Sequence, residues 1–220
     1  MITTKVNYLA QVERMPVGGF LLFDDVSWEE YEELLAELGE ATGLRVSYGN
    51  GRMEVMSLSQ KHEYIRTIWD HLVFVLSEEL EIDIEPFGST TMKRKRKLKG
   101  LESDHSYYIK NASHFQSVAA IDLNYDPPPD LALEVDISHD SLRKFSIYAG
   151  LQIPEVWRYS DGQVQFFRLV GPDYAEISVS DAFPFIVPDV FAQFIALAES
   201  DSQIKATRAF RAWIKTNKPE

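Results

Sequence analysis

Acidic residues interrupt two stretches that otherwise read as buried strands, and chemistry is expected there. Leu131-Ala132-Leu133-Glu134-Val135-Asp136-Ile137 is apolar except for its two acids. Strand side chains alternate faces, so Glu134 and Asp136 share one face, and Asp130 joins them if the strand starts early. Unpaired carboxylates are expensive to bury, so these must face solvent, be paired, or hold a cation. Upstream, Glu102 and Asp104 repeat the two-residue spacing ahead of Tyr107-Tyr108-Ile109. Two neighbouring strands offering acids on one face would make an oxygen-rich pocket. Hard divalent ions such as Mg²⁺ take that ligand set, and a metal so held can ionise water and steady a phosphodiester transition state. An exposed acidic strand face is the plainer alternative. Glu63, beside His62, adds a third acid near a helix start, where a carboxylate is also favourable with the helix dipole.

Lys93, Arg94, Lys95, Arg96, Lys97 and Lys99 put six positive charges into seven residues. Such a run is either a phosphate contact or a solvated hairpin tip. The net charge of −12 argues weakly against nucleic acid as a partner, although local distribution matters more. His62, His105 and His139 show no HxxxH or HExxH spacing, so zinc is not expected. Trp157 and Tyr159 read as core rather than as a platform for stacked bases.

The elements that must position these residues follow from periodicity. Ser27 and Glu30 form a capping box for a helix carrying Tyr31, Leu34, Leu35 and Leu38. A hairpin is expected from Leu44 to Met56 around Gly49-Asn50-Gly51. A second helix is expected from Gln60 to Leu80, capped by Ser59. Strands follow over Ile82–Phe87, Ser89–Met92 and Leu101–Ile109, with the basic run between the last two. Asn111 to Asp126 reads as an insertion or edge segment, and Pro127-Pro128-Pro129 ends it. After the acidic strand come a short helix, Ser141–Ala149, stopped by Gly150, and a hairpin across Asp161-Gly162. The C-terminal part from Asp189 to about Lys215 is helical by spacing. This order predicts a mixed sheet with flanking helices. No cysteine is present, which removes disulfides and thiolate metal sites and fits a reducing cytoplasm. No secretory pattern opens the chain, and no stretch of about 18 apolar residues predicts a membrane span.

Pro129-Asp130-Leu131-Ala132-Leu133-Glu134-Val135, the later block Tyr148-Ala149-Gly150-Leu151-Gln152-Ile153-Pro154-Glu155-Val156-Trp157-Arg158-Tyr159, and the earlier Ser59-Gln60-Lys61-His62-Glu63 together resemble the Uma-two family of restriction-endonuclease-like proteins, over roughly residues 23 to 195. The resemblance implies an α/β (α+β) restriction-endonuclease-like fold of the PD-(D/E)XK type, a central mixed sheet flanked by helices. It implies one domain over residues 1–220, with a C-terminal helical extension over about 189–216. The implied activity is Mg- or Mn-dependent endonucleolytic hydrolysis of DNA. By position, Asp104 is the first acid, Glu134 the second and Glu63 the helical one. Ser103 stands where the family pattern has proline. Asp136, not lysine, stands two residues after Glu134 and would act as a further metal ligand. The lysine is then supplied from the following helix: Lys144, with Arg143 as alternative, against the plain reading of an exposed helix lysine. Asp130 is assigned a capping or local structural role. Cutting two antiparallel strands suits a two-fold homodimer. The acidic charge and Asp136 favour the competing expectation, a nuclease-fold binding or regulatory module without catalysis.

Overall fold

A computed structural model describes residues 6–39, 43–116, 121–137 and 139–219. The N-terminal part contains α1 (Tyr8–Val12), β1 (Phe20–Phe23), α2 (Trp28–Leu38), β2 (Leu44–Gly49), β3 (Arg52–Ser57) and α3 (Gln60–Leu80). The middle contains β4 (Glu85–Pro86), β5 (Thr91–Arg94), β6 (Lys99–Glu102), β7 (His105–Tyr108), α4 (Ala112–Phe115) and β8 (Leu131–Asp136). A 3-10 turn over Ser141–Lys144 leads into α5 (Phe145–Leu151), followed by β9 (Glu155–Ser160), β10 (Gln163–Val170), β11 (Asp173–Ile177), α6 (Pro188–Ser200) and α7 (Gln203–Asn217).

Local signals in the sequence act where expected. Ser27 and Glu30 make both bonds of the capping box on α2. Ser59 accepts the His62 N–H at the start of α3. Asn50 and Gly51 take positive φ angles of 56° and 77° at the β2–β3 turn, the backbone hand that a two-residue hairpin requires.

The strands form two sheets. One has the order β1-β3-β2-β6-β5, all antiparallel, and the other the order β11-β10-β9-β8-β7-β4. Among the described residues only β8 and β9 pair in parallel, joined by a crossover through α5. The expected mixed-sheet class with flanking helices therefore holds. On β8, Leu131, Leu133 and Val135 enter a core shared with α3, α6 and α7, and Ala132 enters a second core with Tyr148 and Leu151 of α5. A third core joins α1 and α2 to the first sheet.

Three expectations are corrected. The single strand expected over Leu101–Ile109 is two strands in different sheets. Glu102 ends β6, bound to Thr91 and Val46 of the first sheet, whereas His105 opens β7 opposite Leu133 of the second. The chain crosses at Ser103 and Asp104, both fully buried, so Glu102 and Asp104 do not share one strand face, although Arg45 and Lys144 act on both carboxyls. Gly150 does not stop α5, which continues to Leu151 and ends on Gln152 at φ 66°. Gly150 is needed for close packing, since a Cβ there would meet Lys99 Cγ at 2.8 Å. The strand expected from Ile82 shrinks to Glu85–Pro86, because Ile82 is still tied to the end of α3: its N–H donates to the Ser77 carbonyl and its carbonyl accepts from the Ser77 hydroxyl. β11 was not anticipated. Of the unassigned segment Asn111 to Asp126, residues 117–120 lie outside those described; Ala112–Phe115 is helical.

The Glu155–Trp157 motif is structural. Glu155, buried on β9, accepts from Trp157 Nε1 and from the backbone N–H groups of Asp181 and Ala182, tying the loop before α6 to the sheet. Trp157 stacks on Phe166 within the core.

Candidate active site

One residue beyond the β7–β8 register, Asp104 comes alongside Glu134. Its N–H donates to the Leu133 carbonyl at 3.1 Å, and its Oδ2 accepts the Val135 N–H at 2.8 Å. The carboxylate replaces a backbone acceptor and stops the ladder there. Both acids are buried, Asp104 at 0% and Glu134 at 1% exposure.

Glu134 is satisfied by two side chains from the crossover. Lys144 Nζ donates to Oε2 at 2.9 Å, and the Tyr148 hydroxyl donates to Oε1. Lys144 and Tyr148 are one helical turn apart, so one short helical segment delivers both donors to one carboxylate. Lys144 is 8% exposed, so it is not the surface lysine that the plain reading allowed.

Asp104 is surrounded differently. His62 Nε2, at the start of α3, lies 2.9 Å from Oδ2 without the alignment of a hydrogen bond, so the contact is electrostatic. Arg45 Nε, from β2 of the other sheet, lies 3.4 Å from Oδ1. Asp104 Oδ1, Arg45 Nε and both His62 nitrogens are buried without a hydrogen-bond partner.

These surroundings separate the two carboxyls. Burial pushes Glu134 up to about 7, against the pull of Lys144 and with a further push from Asp104. Burial also acts to raise Asp104, but His62, Lys144 and Arg45 outweigh it and hold this carboxyl down at about 2. The buried Lys144 ammonium is held above its ordinary range: burial works to lower it, and Glu134 and Asp104 prevail.

Asp136 lies on the same strand face as Glu134 but is engaged by its own partners. Its Oδ2 accepts from Arg158 Nε at 2.6 Å and from the Ser141 N–H at 3.0 Å and hydroxyl at 3.1 Å. Glu63 binds Arg66 at 2.9 Å and lies 3.6 Å from His62 Nδ1, so it adjoins Asp104 only through the histidine. Among the described residues, no group of three or more His, Cys, Asp or Glu side chains converges as a metal site. Asp130 accepts from the N–H groups of Ile109 and Lys110, a local structural role.

The basic run divides. Lys93 and Lys95 pair with Glu32 of α2, and Arg94 binds the Leu123 carbonyl. Lys99 is buried, whereas Arg96 and Lys97 are exposed on the turn between β5 and β6. Sequence reasoning did not single out Arg45, and it gave Tyr148 no site role although Tyr148 lay in a quoted motif. Arg45 carries no local signal, since its partner is distant in the chain. The four-residue spacing of Lys144 and Tyr148 could have revealed the tyrosine.

Residues 28–199 match the model of the Uma2 family, described as "Putative restriction endonuclease". No curated protein matches the chain. Among solved structures the chain is similar to the crystal structure of a "putative nuclease belonging to DUF820" from Anabaena variabilis. The identity is 16% and the TM-score 0.49, over 83% of this chain and 99% of that one. The family match takes in Asp104, Glu134 and Lys144, and the chain belongs to the Uma2 family of restriction-endonuclease-like proteins.

Proposed function

We propose that this protein is a divalent-metal-dependent endonuclease that hydrolyses phosphodiester bonds of DNA. One observation carries the reading: Asp104, just ahead of β7, lies beside Glu134 of the adjacent β8, with Lys144 2.9 Å from Glu134. Family membership supports the nuclease class.

The donors suit a hard cation. Asp104 Oδ1 is a buried anionic oxygen without a hydrogen-bond partner, Glu134 supplies a second carboxylate, and Asp136 offers another from the same strand face. Mg²⁺, which keeps several waters, needs only one or two carboxylates from a protein. When bound, Mg²⁺ or Mn²⁺ supplies Lewis acidity and an ionised water. Lys144 holds a fixed positive charge beside the carboxylates, placed to stabilise negative charge as it develops on phosphate oxygens. Tyr148 orients Glu134. His62 and Arg45 keep Asp104 ionised, and Glu63 bears on His62 from the helix. The exposed Arg96 and Lys97 are the members of the basic run best placed for sequence-independent phosphate contacts. A two-fold homodimer would let two such sites cut both strands; a monomeric mass by light scattering would contradict it.

The test is plasmid cleavage with Mg²⁺ or Mn²⁺ against a Glu134→Ala control. Equal cleavage by both proteins would remove this reading. A second reading, a nuclease-fold binding module without catalysis, is favoured by the occupation of both Glu134 oxygens by Lys144 and Tyr148. Absence of Mn²⁺ binding at millimolar concentration in calorimetry would support that alternative.

A further inference from the structure

Lys99 has an unusual position for a lysine of a basic run. It is only 9% exposed. Its stem runs between two glycines: a Cβ at Gly150 would meet Lys99 Cγ at 2.8 Å, and one at Gly49 would lie 3.0 Å from Lys99 Nζ. Its ammonium donates to Asn50 Oδ1 at 3.1 Å. Among the described residues no carboxylate forms an ion pair with it, and burial alone lowers its pKa. The part-buried ammonium has a single neutral acceptor, and a bound anion would stabilise it.

The ammonium ends beside a cleft of about 240 Å³ that Gly49 and Asn50 help to line. A Cβ at Gly49 would be 3.0 Å from Ile147 Cγ1 as well as from Lys99 Nζ, so the ammonium lies close to Ile147 of α5, behind the Gly49 that lines this cleft. Arg143, on the 3-10 turn before α5, and Ser146 of α5 also line the cleft, both exposed. Arg143 sits over the Phe20 ring at 4.9 Å and pairs with no carboxylate among the described residues. Arg52 in the same cleft is neutralised by Asp24 at 2.8 Å. Asp25 and Glu54 also line the cleft and disfavour an anion next to them. Ser47, Glu54 and Arg143 are shared with the narrow space at Lys144 and Asp136, so the cleft adjoins the candidate active site.

We infer that Lys99, with the Arg143 guanidinium and the Ser146 hydroxyl, forms a phosphate subsite that takes a non-scissile phosphodiester of the bound strand. The inference rests on the nuclease reading for its ligand but not for its chemistry. The subsite fixes the register of the strand across Lys144 by one charge-assisted contact, and it carries no base information.

The experiment measures binding of a short DNA oligonucleotide without divalent metal by fluorescence anisotropy, independently of cleavage. Single phosphates are replaced in turn by neutral methylphosphonates, in the wild type, Lys99→Met and Arg143→Gln. Methionine keeps the stem between the two glycines. Arg143 is exposed, so its variant keeps the test open if Lys99→Met fails to fold. One neutralised position should weaken wild-type binding roughly tenfold and should not weaken either variant further. Identical profiles in all three proteins overturn the subsite and leave the nuclease reading standing. If the wild type binds no DNA without metal, the nuclease reading is left to the cleavage assay and inorganic phosphate becomes the probe. A rise in melting temperature in the wild type but not in Lys99→Met keeps the anion site and assigns it to free phosphate; no rise overturns it.

Discussion

Lys144 Nζ donates to Glu134 Oε2 at 2.9 Å with both side chains buried. Removing the cation strands a carboxylate in the interior, which is more damaging than losing a surface pair. Lys144→Met should lower unfolding free energy by about 3 kcal/mol and abolish plasmid cleavage. Denaturant titration and a cleavage assay read the two effects separately. Unchanged stability would mean that the pair is not formed.

His62 touches Asp104 from α3 and acts through it, as a positioning residue. His62→Gln should reduce metal affinity or activity by roughly tenfold to a hundredfold, the range for groups that orient a ligand. Calorimetry with Mn²⁺ would show the weakened binding while the melting temperature moves little. Loss of stability without loss of metal affinity would assign the histidine to the core instead.

Glu155 provides a pH test away from the candidate active site. Burial raises its pKa above the ordinary 4.5, although Trp157, Ser180 and Ala182 stabilise the charged form. With the folded pKa above the unfolded one, the native state binds the extra proton between them. Its contribution is full below about 4.5 and declines as pH rises through the raised value. Glu155→Gln lacks that decline, so the stability difference, wild type minus variant, should fall as pH rises above 4.5. Urea titrations at several pH values measure it; a difference that grows with pH would reverse the assignment.

Arg96 and Lys97 differ from Lys93 and Lys95, whose ammonium groups are committed to Glu32. Replacing Arg96 and Lys97 by alanine should reduce the salt dependence of DNA binding by about two phosphate contacts' worth of slope. Replacing Lys93 and Lys95 should change the slope less. Equal effects would mean that the α2 ion pairs give way on binding.

Much of this protein was legible in local chemistry. The capping box at Ser27, the Asn50-Gly51 turn and the long apolar stripe of α3 are short-range signals, and each stands where the residues predict it. The acids on β8 were conspicuous because charge in an apolar strand demands an explanation. Family motifs pointed to Asp104 and Lys144. Tertiary structure decided the rest, because it depends on which strands pair. The chain changes sheets at Ser103, which separates Glu102 from Asp104 and brings Asp104 beside Glu134. Arg45 reaches Asp104 across 59 positions of chain from another sheet, and Lys99 becomes buried only because Gly49 and Gly150 leave room for its stem. Periodicity reports which face a residue takes within its own element; the partner that meets that face is set by long-range packing.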